Sequence, residues 1–278
     1  MIISAVSFSI MAAFVKATDH PVALKAFSRQ IFSCLFVLII LLIKNHRIIP
    51  LKRNRVKLFL RCVFGTLGIY LYFYSIDNLL LANASMLTRL SPFFVTLFAF
   101  IILKESINKI SWLIFIPLII GCSLIIKPNT ELFNSASILA IISACSGALA
   151  YTMIKSIGKE ESPFTIIFWF TFVSSFIYAF ITYSEHVVLG ELNYIFLILI
   201  GLFGVIGQIG LTISYQLSKA SIVAPYSYFY IIFSGLIAYY IWNEIPDGFS
   251  IVGYALIIVS YFYLIRFQND TKKAIDGQ

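Results

Sequence analysis

Charge is scarce in this sequence. Only 12% of its 278 residues are Asp, Glu, Lys or Arg, and no polar stretch between apolar runs is long enough to fold as a separate soluble domain. The four cysteines, Cys34, Cys62, Cys122 and Cys145, all fall inside apolar runs without CxxC or metal-ligand spacing, so no disulfide framework, metal site or other cofactor is expected. The three histidines, His20, His46 and His186, stand far apart in or near loops and read as solvated residues. HExxH, GxSxG and paired intramembrane aspartates are missing, which removes the chemistry an intramembrane enzyme would need. No GxxxxGK loop is present either, so ATP is not coupled within this chain.

What the chain has instead is apolar surface: 60% of its residues are hydrophobic, 17% are aromatic and mean hydropathy is +0.96. A water-soluble fold cannot hide that much, and the expected class is an all-α membrane protein. Apolar runs give ten spans: 2–16, 26–43, 58–75, 80–103, 110–126, 137–154, 164–183, 194–217, 222–242 and 249–265. The first opens at Ile2 with no basic stretch before it and reads as a retained helix, not a cleaved leader. The net charge of +8 lies mainly between spans, where it sets orientation and gives no reason to expect nucleic acid. Lys and Arg number 15 on one side, led by the loop from Lys44 to Arg61, against 4 on the other, with Arg89 inside its span. Both termini are therefore expected to be cytoplasmic, in the inner membrane, with the lipid bilayer as the constant partner. A homodimer is compatible with the sequence but not required by it.

The chain also repeats itself. A shift of 139 residues lays IISAVS at Ile2 on IISACS at Ile141 and FGTLG at Phe64 on FGVIG at Phe203, without a gap. Lys16 falls on Lys155, Ser75 on Ser214, Ser111 on Ser250 and Glu105 on Glu244. Five spans per copy is an odd number, so the copies must cross the membrane in opposite directions. The expected architecture is two inverted five-helix repeats, 1–130 and 137–268, followed by a cytoplasmic tail, 269–278.

Candidate site residues are polar groups at depth. Arg89 and Pro92 interrupt the run from Leu80 to Glu105, placing a guanidinium roughly 12 Å below the membrane edge beside a residue that removes a backbone donor. Arg89 is expected to line a polar path and hold an anionic group; the alternative is pairing with Asp77 or a helix end. Gln208 needs a partner within the bilayer and offers one to a solute. Around it Gly201, Gly204, Gly207 and Gly210 form a stripe suited to close helix packing. Tyr70, Tyr72 and Tyr74 cannot all face one way, since residues two apart on a helix diverge by about 200°. Tyr74, Gln208 and Tyr228 are candidate neighbours of Arg89, and Tyr226 is a further candidate substrate-binding residue. Glu105 and Glu244 close spans four and nine and read either as caps for neighbouring helix ends or as proton-coupling groups.

These motifs resemble the drug/metabolite transporter superfamily, specifically its EamA-type ten-helix members. SPFFVTLFAFIILKE with its closing Glu105, the counterpart closing at Glu244, and Arg29 near the start of span two carry the resemblance. Ala224 to Gly253 is similar to a branch that includes bacterial S-adenosylmethionine transporters. One departure is that Ile231 stands where the second half would repeat Pro92, with Pro225 nearer the helix start. The resemblance implies a central cavity and alternating-access movement of a small polar or amphipathic solute, such as an amino acid or nucleoside-like compound. S-adenosylmethionine uptake or exchange is one alternative. A passive channel is another, although no ring of filter residues is apparent.

Overall fold

The computed structural model describes residues 1–105, 115–126, 135–185, 194–260 and 263. Every regular element among these is helical: α1 (Ile2–Lys16), α2 (Val22–Ile43), α3 (Arg55–Asn78), α4 (Leu81–Thr88), α5 (Ser91–Leu103), α6 (Phe115–Ile126), α7 (Ser135–Ile157), α8 (Pro163–Ser184), α9 (Tyr194–Leu217), α10 (Ala220–Val223), α11 (Phe229–Trp242) and α12 (Gly248–Ser260). Among the described residues six stretches are long and apolar enough to cross a membrane, counting α4 with α5 as one. Lys127, His186 and the 269–278 tail lie outside the described residues. Large apolar side chains such as Ile39, Leu42, Phe176 and Phe180 are exposed on outer faces, a surface suited to lipid.

Spans four and nine are broken helices. Between α4 and α5 the backbone tightens, with the Arg89 N–H shared between the Ser85 and Met86 carbonyls at 3.2 and 3.1 Å. Pro92 sits at the start of α5, where its missing N–H and fixed φ suit a new helix. In the second half a 3₁₀ turn, Ala224–Tyr228, separates α10 from α11. Both broken helices end alike: Lys104 (φ 54°) and Asn243 (φ 52°) are left-handed, and the next residues, Glu105 and Glu244, donate backbone bonds to the Ala99 and Ala238 carbonyls at 3.1 and 3.3 Å.

The interior is built by cross-packing between the two halves of the sequence, α3 against α7, α1 against α9 and α2 against α8. Ser143 Oγ donates to the Gly68 carbonyl and Ser4 Oγ to the Gly207 carbonyl, both at 2.7 Å. The glycine stripe of α9 is filled by α1 and α2; a Cβ on Gly204 would lie 2.9 Å from Arg29 Cγ. The stripe is therefore a packing surface, as small residues in membranes usually are.

Polar contacts tie both ends of the bundle. At one end Lys16 Nζ meets Glu244 at 2.5 Å and donates to the Leu79 carbonyl at 3.0 Å, while the Leu81 N–H at the start of α4 donates to Glu244 Oε2 at 2.8 Å. Lys25 pairs with Asp77 there at 2.7 Å. At the other end Glu161 accepts from the Leu51 N–H at 2.6 Å, and Trp169 Nε1 donates to the Ile48 carbonyl at 2.8 Å.

Candidate functional site

Between the two halves lies a buried cavity whose walls come from α1, α2, α3, the α4–α5 junction, α7, α8 and α9. Three guanidinium groups enter it: Arg29 from α2, Arg61 from α3 and Arg89 from the junction. No Asp or Glu is found among the described residues that line it. Arg29 and Arg61 are 4% and 2% exposed, and neither has a carboxylate within ion-pair distance among the described residues.

Among the described residues, the groups found around Arg29 and Arg61 are neutral. Arg29 donates to Gln30 Oε1 at 3.3 Å and to Gln208 Oε1 at 3.4 Å, and its guanidinium lies 5.6 Å from the Phe8 ring centroid. Gln208 in turn donates to Thr212 Oγ1 at 3.1 Å, which fixes its carbonyl toward Arg29. Arg61 lies 3.8 Å above Phe170 and Arg89 3.8 Å above Tyr230. The Tyr230 hydroxyl is hydrogen-bonded to that of Tyr72, another cavity residue, and receives a bond from Ser85 Oγ at 3.4 Å. Gly65 makes room for the Arg61 seat: a Cβ there would collide with the Arg61 guanidinium and approach Phe170 to 2.6 Å.

An aromatic face stabilises a cation without neutralising it, by roughly 0.5–2 kcal/mol depending on desolvation. It leaves the edge of the guanidinium, where the N–H groups point, available to a carboxylate or phosphate in the same plane. The Nε atoms of Arg29 and Arg61 are buried without a hydrogen-bond partner among the described residues. The site can thus receive anions and has little to offer a cation.

Of the residues expected from the sequence, Arg89, Gln208 and Arg29 share this cavity. Tyr74 does not line it; Tyr72 does, and a residue two positions on points away from the same wall. Tyr226 is 38% exposed and lies beside Met1, Ile2 and Leu217 in a surface groove. The side chain of Tyr228 lies outside the described residues. Asp77, the proposed alternative partner of Arg89, bonds Lys25, and Glu244 caps α4. Glu105 follows the left-handed turn that ends α5, and Pro92 stands beside the junction instead of in the cavity wall. Arg61, Tyr72 and Tyr151 also line the cavity and Tyr230 seats Arg89, although none of the four stands out as a site residue in the sequence. Arg61, with only five residues between it and Arg55, reads in the sequence as a loop charge, yet it belongs to the cavity.

The EamA-like transporter family model matches residues 1–127 and again residues 134–266. This chain belongs to that family. The EamA-like chain is 31% identical over 270 residues to the Pseudopaline exporter CntI of Pseudomonas aeruginosa (strain UCBPP-PA14), covering 95% of this chain and 94% of that protein. It is 31% identical over 282 residues to human Solute carrier family 35 member G1, covering 93% of this chain and 76% of that one. The S-adenosylmethionine uptake transporter of Rickettsia prowazekii is 24% identical over 240 residues, covering 86% of this chain and 81% of the other. A solved crystal structure superposes with a TM-score of 0.70 over 95% of both chains at 14% identity, which speaks to fold alone. The family assignment makes this EamA-like chain a multi-pass membrane transporter with a small-molecule solute.

Proposed function

We propose that this transporter is a secondary carrier of a small metabolite bearing a carboxylate or phosphate, moved across the inner membrane by alternating access between two inverted five-helix repeats. The observation that carries the solute class is the convergence of Arg29, Arg61 and Arg89 on one buried cavity, without Asp or Glu among its described lining residues. Removing an ion from water costs several kcal/mol unless it is compensated, and an anionic solute supplies the compensation that aromatic seats and amide oxygens do not.

The repeat reading is supported by contacts that survive exchange of the halves. A shift of 139 turns the Ser4 to Gly207 bond into the Ser143 to Gly68 bond, with the same length. It also carries the left-handed turn at Lys104 onto that at Asn243. With repeats 1–130 and 137–268, ten spans result and both termini share a side; the loop lysines and arginines favour the cytoplasmic one. Arg61 and Arg29, one from each side of the count, both belong to the cavity, so 15 against 4 becomes 14 against 3 and the direction is unchanged. The latch of Lys16, Glu244 and the α4 start closes the opposite end, a contact that opening at that end must break.

The two proteins with named small solutes among these relatives concern an exporter and an importer, so direction is a matter for flux measurement. S-adenosylmethionine itself carries a sulfonium and an ammonium against one carboxylate, and three cavity arginines disfavour that excess of positive charge. A passive channel stands as the other reading. Purified protein in liposomes decides between them: saturable uptake that internal solute accelerates supports a carrier, whereas non-saturating flux rejects it. Lost inhibition by anionic competitors in an Arg89→Ala protein that still folds supports the binding role, and unchanged kinetics reject it.

A further inference from the structure

The cavity arginines enter from opposite ends of the bundle. Arg29 is the eighth residue of α2 and Arg89 follows the eight residues of α4, both counted from the end where Lys16 meets Glu244. Arg61 is the seventh residue of α3, counted from the other end, where Leu51 meets Glu161. At 1.5 Å per residue along these helices of 22 and 24 residues, the Cα levels of Arg29 and Arg61 are separated by roughly 15 Å along the bundle, although both side chains border the same space. The seats are separate as well: Arg61 lies on Phe170 of α8, whereas Arg29 is held by Gln208 of α9 and Phe8 of α1.

One carboxylate neutralises one of these charges. It can fork onto a single guanidinium or bridge two, but a lone anionic group placed on Arg29 leaves the buried Arg61 uncompensated, and the reverse also holds. A solute with a second anionic group meets both, and the hydroxyls of Tyr151 and Ser91 also border the cavity for its neutral oxygens. Resting on the anionic-solute reading above, we infer that the transported class carries at least two carboxylate or phosphate groups, one met at the Arg29 level and one at the Arg61 level.

The test separates charge number from size and from acid type. Full-length protein in detergent is titrated with succinate and with succinamate, in which an amide replaces one carboxylate at nearly constant shape. Parallel titrations use 3-phosphoglycerate and glycerate, and thermal stabilisation and competition report binding. In each pair the compound with two acidic groups is expected to bind about tenfold tighter or more than the compound with one, and to weaken as salt rises. Arg61→Gln should collapse that ratio toward one while retaining monoanion binding. If Arg61→Gln does not fold, Arg61→Lys, which keeps the charge but loses the fork, should give an intermediate ratio. A preference confined to the carboxylate pair or to the phosphate pair identifies the acid type, and either supports the class. Equal affinities within both pairs, or a ratio that Arg61→Gln leaves intact, overturn the inference while the carrier of anions stands. Transport of cationic metabolites with no response to any of the four anions overturns both.

Discussion

The two halves of this molecule share their mechanics and differ in their charges. Each has a broken helix that ends in a left-handed residue followed by a glutamate, and each sends a serine hydroxyl from its first helix to a glycine carbonyl in the other half. The same shift that aligns these features lays Arg29, Arg61 and Arg89 on Phe168, Ile200 and Tyr228. Among the described residues every cavity cation therefore comes from the first half, while the second supplies Phe170, Tyr230 and Gln208 as seats and partners. Contacts that shape the scaffold are kept twice. Charge is needed once, because a doubled set of buried guanidinium groups would raise self-repulsion without adding a partner for it.

The largest effect is expected from breaking this asymmetry at Arg61. Arg61→Ala removes a charge-assisted fork worth about 2–3 kcal/mol, close to a hundredfold in solute affinity, readable as a rise in the half-saturating concentration for liposome uptake. Its folding is checked by monodisperse elution in detergent. Phe168→Leu, at the position matching Arg29 but outside the cavity lining, should leave affinity within about twofold. Equal losses from the two substitutions would mean that affinity follows packing of the bundle and not charge.

Glu244→Gln comes next and acts on the scaffold. The amide still accepts from the Leu81 N–H but no longer neutralises Lys16, whose side chain is 18% exposed. A loss of about 1–2 kcal/mol is expected after allowing for that partial hydration, read as a lower denaturation midpoint. Under the repeat reading, Glu105→Gln should cost a similar amount. A cost at Glu244 alone would confine the latch to one end.

How much of this could be read from the sequence varies with how each residue signals itself. Gln208 and Arg89 stand inside apolar spans, so their cost of burial is visible in the string. Arg61 sits nearly two turns inside α3, yet near enough to Arg53 and Arg55 to pass for a loop charge; only the packing of α3 on α7 and α8 turns it inward. The tyrosines failed for a different reason. A regular helix through Tyr226, Tyr228 and Tyr230 fixes their relative faces, but the 3₁₀ turn over Ala224–Tyr228 advances about 120° per residue instead of 100° and resets the register. Tyr230 therefore meets Arg89 while Tyr226 faces outward. The broken helices are legible in the first half from Pro92 and obscured in the second, where Pro225 lies within the 3₁₀ turn instead of at the start of the following helix.

Tyr230 provides a smaller and more specific test. Tyr230→Phe keeps the ring under Arg89 and loses the bond to Tyr72, for which about threefold in affinity is expected. Tyr230→Leu removes the ring seat as well and should cost about 1 kcal/mol more, or roughly another fivefold. If Phe is as damaging as Leu, the hydroxyl pair and not the aromatic face positions Arg89.

The smallest effect concerns the matched turns at Lys104 and Asn243. A left-handed conformation costs a side chain such as lysine about 1–2 kcal/mol and costs asparagine less, while glycine adopts it freely but adds entropy to the unfolded chain. Lys104→Gly should therefore stabilise by about 0.5–1 kcal/mol, and Asn243→Gly should be close to neutral, both measured by reversible denaturation in mixed micelles. The ordering matters more than the size, since the backbone geometry is the same at the two positions and only the side chain differs. Lys104→Gly proving the more destabilising of the two would show that the lysine side chain makes a contribution at its end of the bundle that asparagine does not make at the other. The likeness of the turns would then be one of shape without a shared energetic origin.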